Sequence, residues 1–468
     1  ASRMRSRQLL VLLGLVLIVY VRATSKSVMG KGFKKPFFPA DSVTYHPHQS
    51  STFKIVEGAQ FVLTYADNSK LLGYQGIDVV QLGDFFVHTR FGAITDCNSP
   101  DFNNVSGILG MGMPTVPMPG LPGLPSMNVP PPLLFDLSDS RIKDNSENHI
   151  LPRRAFSFMS THEAAELQLG GYDPAAIVGE MFVTPSIQPT EYMVPVLSIK
   201  FGDVELLEFT EMSESINGVL DSGTSCLVLP DITAGLLQEK PYSKWLNLVK
   251  NKTHPVSHDS FFINIAGREF EIPFDTWYMT QGSVKDQSCV QSMPGGVPII
   301  LIGDVLFRNY LVMFDLEPFT HGGPIMLGIG KQNPKYKLST FHDTIKKVPA
   351  KKKAVTGNQR GHYQPPQAES RERVRNFEQS QYFINVSIGT PRQTMEVILD
   401  SGSAEFGVFS KCPAGLQNGQ LRCDFGRETR RRNLLEAEDH SVDSAAAVAS
   451  QSLLVGCLVL FSVLLLSA

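Results

Sequence analysis

Two short segments constrain this chain more than any other part of its sequence. Gly218-Val219-Leu220 leads into Asp221-Ser222-Gly223-Thr224, and 179 residues further on Val397-Ile398-Leu399 leads into Asp400-Ser401-Gly402-Ser403. Both read as an apolar strand entering a tight turn, with a glycine that lets the backbone bend sharply and lets a partner approach closely. One Asp-Ser-Gly is an ordinary turn. Two copies, each after a β run and each followed by a hydroxyl residue, form a paired constellation. That later hydroxyl is expected to hydrogen-bond the carboxylate and fix its orientation.

Two carboxylates brought within hydrogen-bonding distance cannot both ionise comfortably, so such a pair shares a proton over an acidic range. One Asp then acts as general base toward a water, while its protonated partner hydrogen-bonds the carbonyl under attack. Water attacks directly, so this chemistry requires no covalent intermediate, metal or cofactor.

The rest of the chain reads as mainly β with sparse helix. Hydrophobic residues make up 42% and charged residues 19%, a globular balance, and 38 Gly with 31 Pro separate many short apolar runs. Phe61 to Tyr65 and Ile77 to Leu82, divided by the polar Ala66 to Lys70, predict a hairpin. The Pro, Gly and Met cluster at 113–132 predicts loop, and Leu133 to Leu137 a short helix. Strand patterns return over 155–335 and again from Tyr382 to Cys423.

These segments together resemble the pepsin and cathepsin D family of aspartic proteases. Tyr382-Phe383-Ile384-Asn385-Val386-Ser387-Ile388-Gly389-Thr390-Pro391, Gln393 and the Asp400 loop resemble the family's opening strands and first catalytic loop. Asp221-Ser222-Gly223-Thr224-Ser225 resembles the second loop, and Tyr65 the flap tyrosine that covers substrate. Gly107-Ile108-Leu109-Gly110 and Ile300-Leu301-Ile302-Gly303-Asp304 resemble the two segments that thread beneath the loops. Phe307-Arg308-Asn309-Tyr310 and Phe314-Asp315 continue the second of these. The resemblance implies two β-rich lobes with a cleft between them and one catalytic Asp from each, Asp400 and Asp221. Ser222, Gly223, Thr224, Ser401, Gly402 and Ser403 would support them. It also implies extended peptide or protein substrates, with hydrophobic side chains flanking the cut. A catalytically silent pepsin-like binding protein is the alternative.

The chain departs from the family's order, because the first-lobe opening stands near its C-terminal end. Circular permutation, a cut from a tandem array and an incorrectly joined gene each account for this. The expected segments are a first-lobe remainder at 45–190, a second lobe at 191–335, a basic flexible linker at 336–380 and the opening strands at 381–425. Around the first loop, Ser401 stands where the family usually has Thr. Glu405, Phe406 and Gly407 replace its usual Asn, Leu and Trp. That Trp supports the flap tyrosine in the family, and a carboxylate at Glu405 near the dyad would disturb it.

The ends carry targeting patterns. Arg5, Arg7 and the apolar Leu9 to Val19 predict a signal peptide over 4–23. A polar spacer at 426–452 precedes the hydrophobic tail at 453–468. With the small residues from Ser444 to Ala447, that order resembles a GPI-attachment signal, a single-pass tail anchor being the alternative. The expected location is therefore the secretory pathway: extracellular, cell-surface or acidic endolysosomal, with membrane contact through the tail. Six cysteines in such a chain favour disulfides over metal sites. Cys412 and Cys423 are close enough to close a loop, whereas Cys97, Cys226 and Cys289 cannot all pair with one another. Asn104 and Asn251 head glycosylation motifs, and so does Asn385, which lies within a strand pattern. The net charge of −3 gives no basis for a nucleic-acid partner. A monomer is expected.

Overall fold

The computed structural model describes residues 43–64, 69–99, 102, 105–113, 130–209, 215–230, 259–279, 287–293, 298–339, 343–344, 363–377, 381–410, 414–417 and 420–423. The expected signal peptide, spacer and tail, the loop over 114–129, Tyr65, Asn104, Asn251, Cys412 and Cys457 lie outside the described residues. So does the side chain of Cys423. Among the described residues no helix is long and apolar enough to cross a membrane.

The architecture is mainly β and rests on two large sheets, as the two-lobed reading requires. Among the described residues the larger sheet has 14 strands, 13 in one path and Asp343–Thr344 off it, paired with Ser370–Phe377. From one edge it runs Lys54–Thr64, Lys70–Leu82, Phe85–Cys97, Phe406–Phe409, Gly107–Gly110, Gln393–Asp400, Gln381–Ile388 and Ser370–Phe377. It continues through Ala164–Leu169, Ala155–Ser160, Tyr310–Asp315 and Met326–Lys331 to Phe182–Pro185. The second sheet runs Arg268–Ile272, Phe261–Ile265, Met193–Phe201, Ile216–Leu220, Ile299–Ile302, Leu227–Pro230 and Val290–Met293. The chain divides into two compact units, 1–411 and 412–468; the described part of the second is a hairpin of Ala414–Gln417 and Gln420–Cys423.

Side-chain patterning explains the strands. In Lys54–Thr64 the buried residues Ala59, Phe61 and Leu63 alternate with exposed ones, and the strand pairs antiparallel with Lys70–Leu82 as the expected hairpin, Thr64 opposite Lys70. Gly107–Gly110 and Ile299–Ile302 are buried at every position, as strands covered on both faces must be. The short helix Leu133–Leu137 also forms where expected.

The two sheets repeat one local arrangement. Gln393–Asp400 pairs parallel with Gly107–Gly110, which pairs antiparallel with Phe406–Phe409. Ile216–Leu220 pairs parallel with Ile299–Ile302, which pairs antiparallel with Leu227–Pro230. In the second sheet the Asp-bearing strand comes before its parallel partner in the chain. In the first it comes after. The spatial result is the same.

The linker reading of 336–380 needs correction. Ser370–Phe377 is a strand inside the large sheet, paired with Ala164–Leu169 on one side and Gln381–Ile388 on the other. Ser370, Glu372 and Val374 point inward and are buried, while arginines 371, 373 and 375 alternate with them on the other face. That arginine-rich face disguised the alternation. Buried Glu166 holds the approach to this strand, accepting hydrogen bonds from Tyr336 Oη (2.8 Å) and Ser339 N (2.6 Å), and Arg371 donates to Tyr336 Oη (2.7 Å).

Three tertiary ties fix the core. Phe156 stacks on Phe314 at 4.6 Å, and Tyr382 meets Phe158 edge-on at 4.8 Å. Cys226 and Cys289 form a disulfide across a separation of 63 residues, which in the chain-entropy view contributes about 4 kcal/mol. Asp304 and Arg308, both buried, form an ion pair at 2.6 Å, and Ser160 Oγ donates to the other Asp304 oxygen at 2.7 Å. Asp304→Ala is expected to leave the buried guanidinium without its carboxylate and to cost about 3–5 kcal/mol, measured by urea denaturation. An unchanged midpoint would refute that role.

Candidate active site

Each Asp loop is held by a backbone strand threaded beneath it. Asp400 O accepts from Met111 N at 2.7 Å and Ser403 O from Gly112 N at 2.6 Å. Asp221 N donates to Ile302 O at 3.2 Å, and Asp304 N to Thr224 O at 2.8 Å. The approach is too close for a side chain. A Cβ on Gly110 or Gly112 would lie 2.6 or 2.8 Å from Ser403 O, and one on Gly303 would collide with Thr224 O. The hydrophobic-hydrophobic-Gly pattern is therefore a steric requirement of the threading.

Within each loop the carboxylate is fixed twice. Asp221 Oδ1 accepts from Gly223 N (2.9 Å) and Oδ2 from Thr224 Oγ1 (2.7 Å). Asp400 Oδ1 accepts from Gly402 N (3.0 Å) and Oδ2 from Ser403 Oγ (2.5 Å). The hydroxyl expected to orient each Asp thus does so, and Ser403 replaces Thr224 without loss of the bond. Both carboxylates are about 5% exposed.

The two loops meet. Ser222 N donates to Ser401 Oγ at 2.8 Å, and Ser401 N donates to Ser222 Oγ at 3.1 Å, so each loop satisfies a buried amide of the other. Both carboxylates converge on Gly223: a Cβ there would lie 2.5 Å from Asp400 Oδ1 and 3.2 Å from Asp221 Oδ1. Sequence reasoning grouped both serines with the supporting residues but missed that they reach across to the opposite loop. The only signal was that both copies carry Ser directly after Asp.

The structure also accounts for the space opened by Gly407. The ring of Phe61, on the first strand of the hairpin, fills it: a Cβ on Gly407 would lie 3.0 Å from Phe61 Cζ, and one on Gly92 would collide with the same ring. Phe61 is buried with Leu63, Ile94, Ile108 and Phe409. This links the outer hairpin to the strand leaving the Asp400 loop. Half-buried Glu405 turns back on the chain, its Oε2 accepting from Ala404 N at 3.2 Å.

A model of eukaryotic aspartyl proteases matches this chain over residues 39–322 and 381–445. Vacuolar protease A of Aspergillus fumigatus is 28% identical over 288 residues, covering 58% of this chain and 66% of that protein. Cathepsin D of Clupea harengus is 23% identical over 286 residues (58% and 67%), and rhizopuspepsin-1 of Rhizopus niveus 25% identical over 282 residues (58% and 66%). The chain thus spans about two thirds of the length of these relatives.

Ser401→Ala removes the acceptor of a buried amide, that of Ser222, and is expected to cost about 1–3 kcal/mol. In a double-mutant cycle with Ser222→Ala, urea denaturation should return a coupling of about 0.5–3 kcal/mol. Strict additivity would show that the loops do not depend on each other.

Proposed function

The chain belongs to the eukaryotic aspartyl protease family, and from that premise we propose that it is an endopeptidase in which Asp221 and Asp400 together activate water. The reciprocal Ser222–Ser401 hydrogen bonds carry this reading, because they hold two oriented carboxylates around one glycine. One Asp takes the proton of water as it attacks the peptide carbonyl. The other, protonated, hydrogen-bonds the carbonyl oxygen and stabilises the charge that develops there. The amides of Gly223 and Gly402 and the hydroxyls of Thr224 and Ser403 hold both carboxylates still, so little reorganisation is needed as the reaction proceeds. Tyr65, outside the described residues, is the proposed flap tyrosine over an extended peptide or protein substrate.

Acid favours the reaction because one shared proton is needed; activity falls as pH rises and that proton leaves. Of the three accounts of the chain order, circular permutation has the best support, since 370–409 pairs with strands of its own chain at the centre of the sheet. The Cys226–Cys289 disulfide supports an oxidising, secretory route, and relatives named vacuolar protease A and cathepsin D support an acidic compartment at its end. Anchoring by the C-terminal tail remains part of the proposal.

Purified protein is expected to cleave a denatured protein substrate at about pH 4 and to be inhibited by pepstatin. Asp221→Asn or Asp400→Asn should each lower kcat by about 10⁴-fold or more with the fold intact. Cleavage that survives either substitution would sink the dyad. Folded protein that binds peptides without cutting them would establish the silent binding protein instead.

A further inference from the structure

An Asn-x-Ser motif is ordinarily a feature of surface loops, yet Asn385-Val386-Ser387 lies in the strand Gln381–Ile388. That strand runs inside the large sheet, between Ser370–Phe377 and Gln393–Asp400. Its Ile384, Val386 and Ile388 are buried in the core. Asn385 is nevertheless exposed, the one residue of the eight that is. Asparagine is depleted from strands, so its presence here is not explained by strand preference.

Successive side chains leave a strand on opposite sides, so Asn385 and Ser387 share the outer face while Val386 between them fills the core. The two residues that the motif specifies thus point out, and the one it leaves free points in. The outer face around Asn385 is open and polar. Glu396, its partner on Gln393–Asp400, keeps 40% of its side chain exposed. Thr394 is exposed too, its hydroxyl 2.8 Å from Ser387 Oγ. Val374 pairs with Ile384, which sets exposed Arg373 alongside Asn385. Other asparagines brace the fold. Asn309 Nδ2 donates to Thr276 Oγ1 at 2.8 Å, Asn333 Nδ2 to Ala175 O at 3.0 Å and Asn376 Nδ2 to Thr161 O at 2.8 Å. The carboxamide of Asn385 makes no hydrogen bond to a described residue.

We propose that Asn385 is a modification site and carries an N-linked oligosaccharide on the outer face of the large sheet. This rests on the secretory route proposed above and is independent of the endopeptidase reading. Asn385 Nδ2 attacks C1 of an oligosaccharide held on a lipid pyrophosphate. The N–C bond forms as the C–O bond to phosphate breaks, the lipid pyrophosphate leaves with the electron pair, and the nitrogen gives up one proton. No oxidant or reductant takes part. The folded sheet tolerates the product because the glycan projects from an open face, whereas a glycan on an inward residue such as Ile384 or Val386 would have to enter the core.

The test translates the full chain in the presence of rough microsomes, with Asn104 and Asn251 changed to Gln so that Asn385 heads the remaining motif. Protease protection reports translocation separately from glycosylation. The protected chain should migrate one glycan step more slowly, and PNGase F should remove that step. Release in heavy-oxygen water should leave a labelled Asp at position 385, read by mass spectrometry. Asn385→Gln and Ser387→Ala should each abolish the step, whereas Ser387→Thr, which keeps the hydroxyl, should retain it. A protected chain without the step overturns the proposal. If the chain stays outside the vesicles, the secretory route fails by itself. A signal peptide of proven function in place of residues 1–23 then forces translocation, and an unmodified Asn385 in that chain overturns the proposal just as well. The glycosylated chain should also form the Cys226–Cys289 disulfide and unfold in urea in a cooperative transition. Glycan confined to material that lacks both would show that the folded sheet does not accept it, and would overturn the proposal too.

Discussion

Everything at this site depends on two amide hydrogen bonds that neither half of the molecule can make alone. The N–H groups of Ser222 and Ser401 sit in buried turns, and each finds its acceptor in the hydroxyl of the opposite serine. A buried donor left unpaired costs more than a paired one contributes, so separating the loops is opposed from both sides. The same bonds bring the two carboxyl groups together over Gly223. The geometry of the candidate site and the association of the two Asp-bearing sheets thus share one cause.

The threading beneath the loops shows why chain order matters less than contact. Gly107–Gly110 precedes its Asp-bearing partner by more than half the length of the chain, whereas Ile299–Ile302 follows its own. Both strands nonetheless lie parallel to the Asp-bearing strand and antiparallel to the strand that leaves the loop. The ladder bonds and the glycine contacts are local in space and carry no memory of sequence direction between elements. The consequence is kinetic: the centre of the large sheet closes only when residues 370–409 arrive, and pairings so distant in sequence make slow folding.

What the sequence revealed follows from the range of the interactions involved. The Asp loops, the hydrophobic-hydrophobic-Gly segments, the hairpin and the Leu133–Leu137 helix were legible because each is specified by neighbours a few residues apart. Ser370–Phe377 was misread because its inward residues are Ser, Glu and Val while its other face is arginine. Alternation survives there, but burial of Glu372 makes sense only beside the strands that enclose it. The complement between Phe61 and Gly407 was invisible for the same reason: a missing large side chain on one strand is offset by a ring on another, far away in sequence. Crossed serine bonds belong to this class too.

Buried acids in this protein differ in what holds them. Asp304 faces Arg308, Asp315 faces Arg153 at 2.6 Å with Tyr363 Oη at 2.5 Å, and Glu166 lies near Arg371. In these pairs an arginine faces the carboxylate, and the pair serves as a joint between distant segments. Asp221 and Asp400 are instead held by hydroxyls and amides, neutral donors that fix an orientation. Buried Asp78 is likewise held by neutral donors, Tyr45 Oη at 2.5 Å and Val79 N at 2.8 Å, so what sets Asp221 and Asp400 apart is that their carboxylates meet at Gly223.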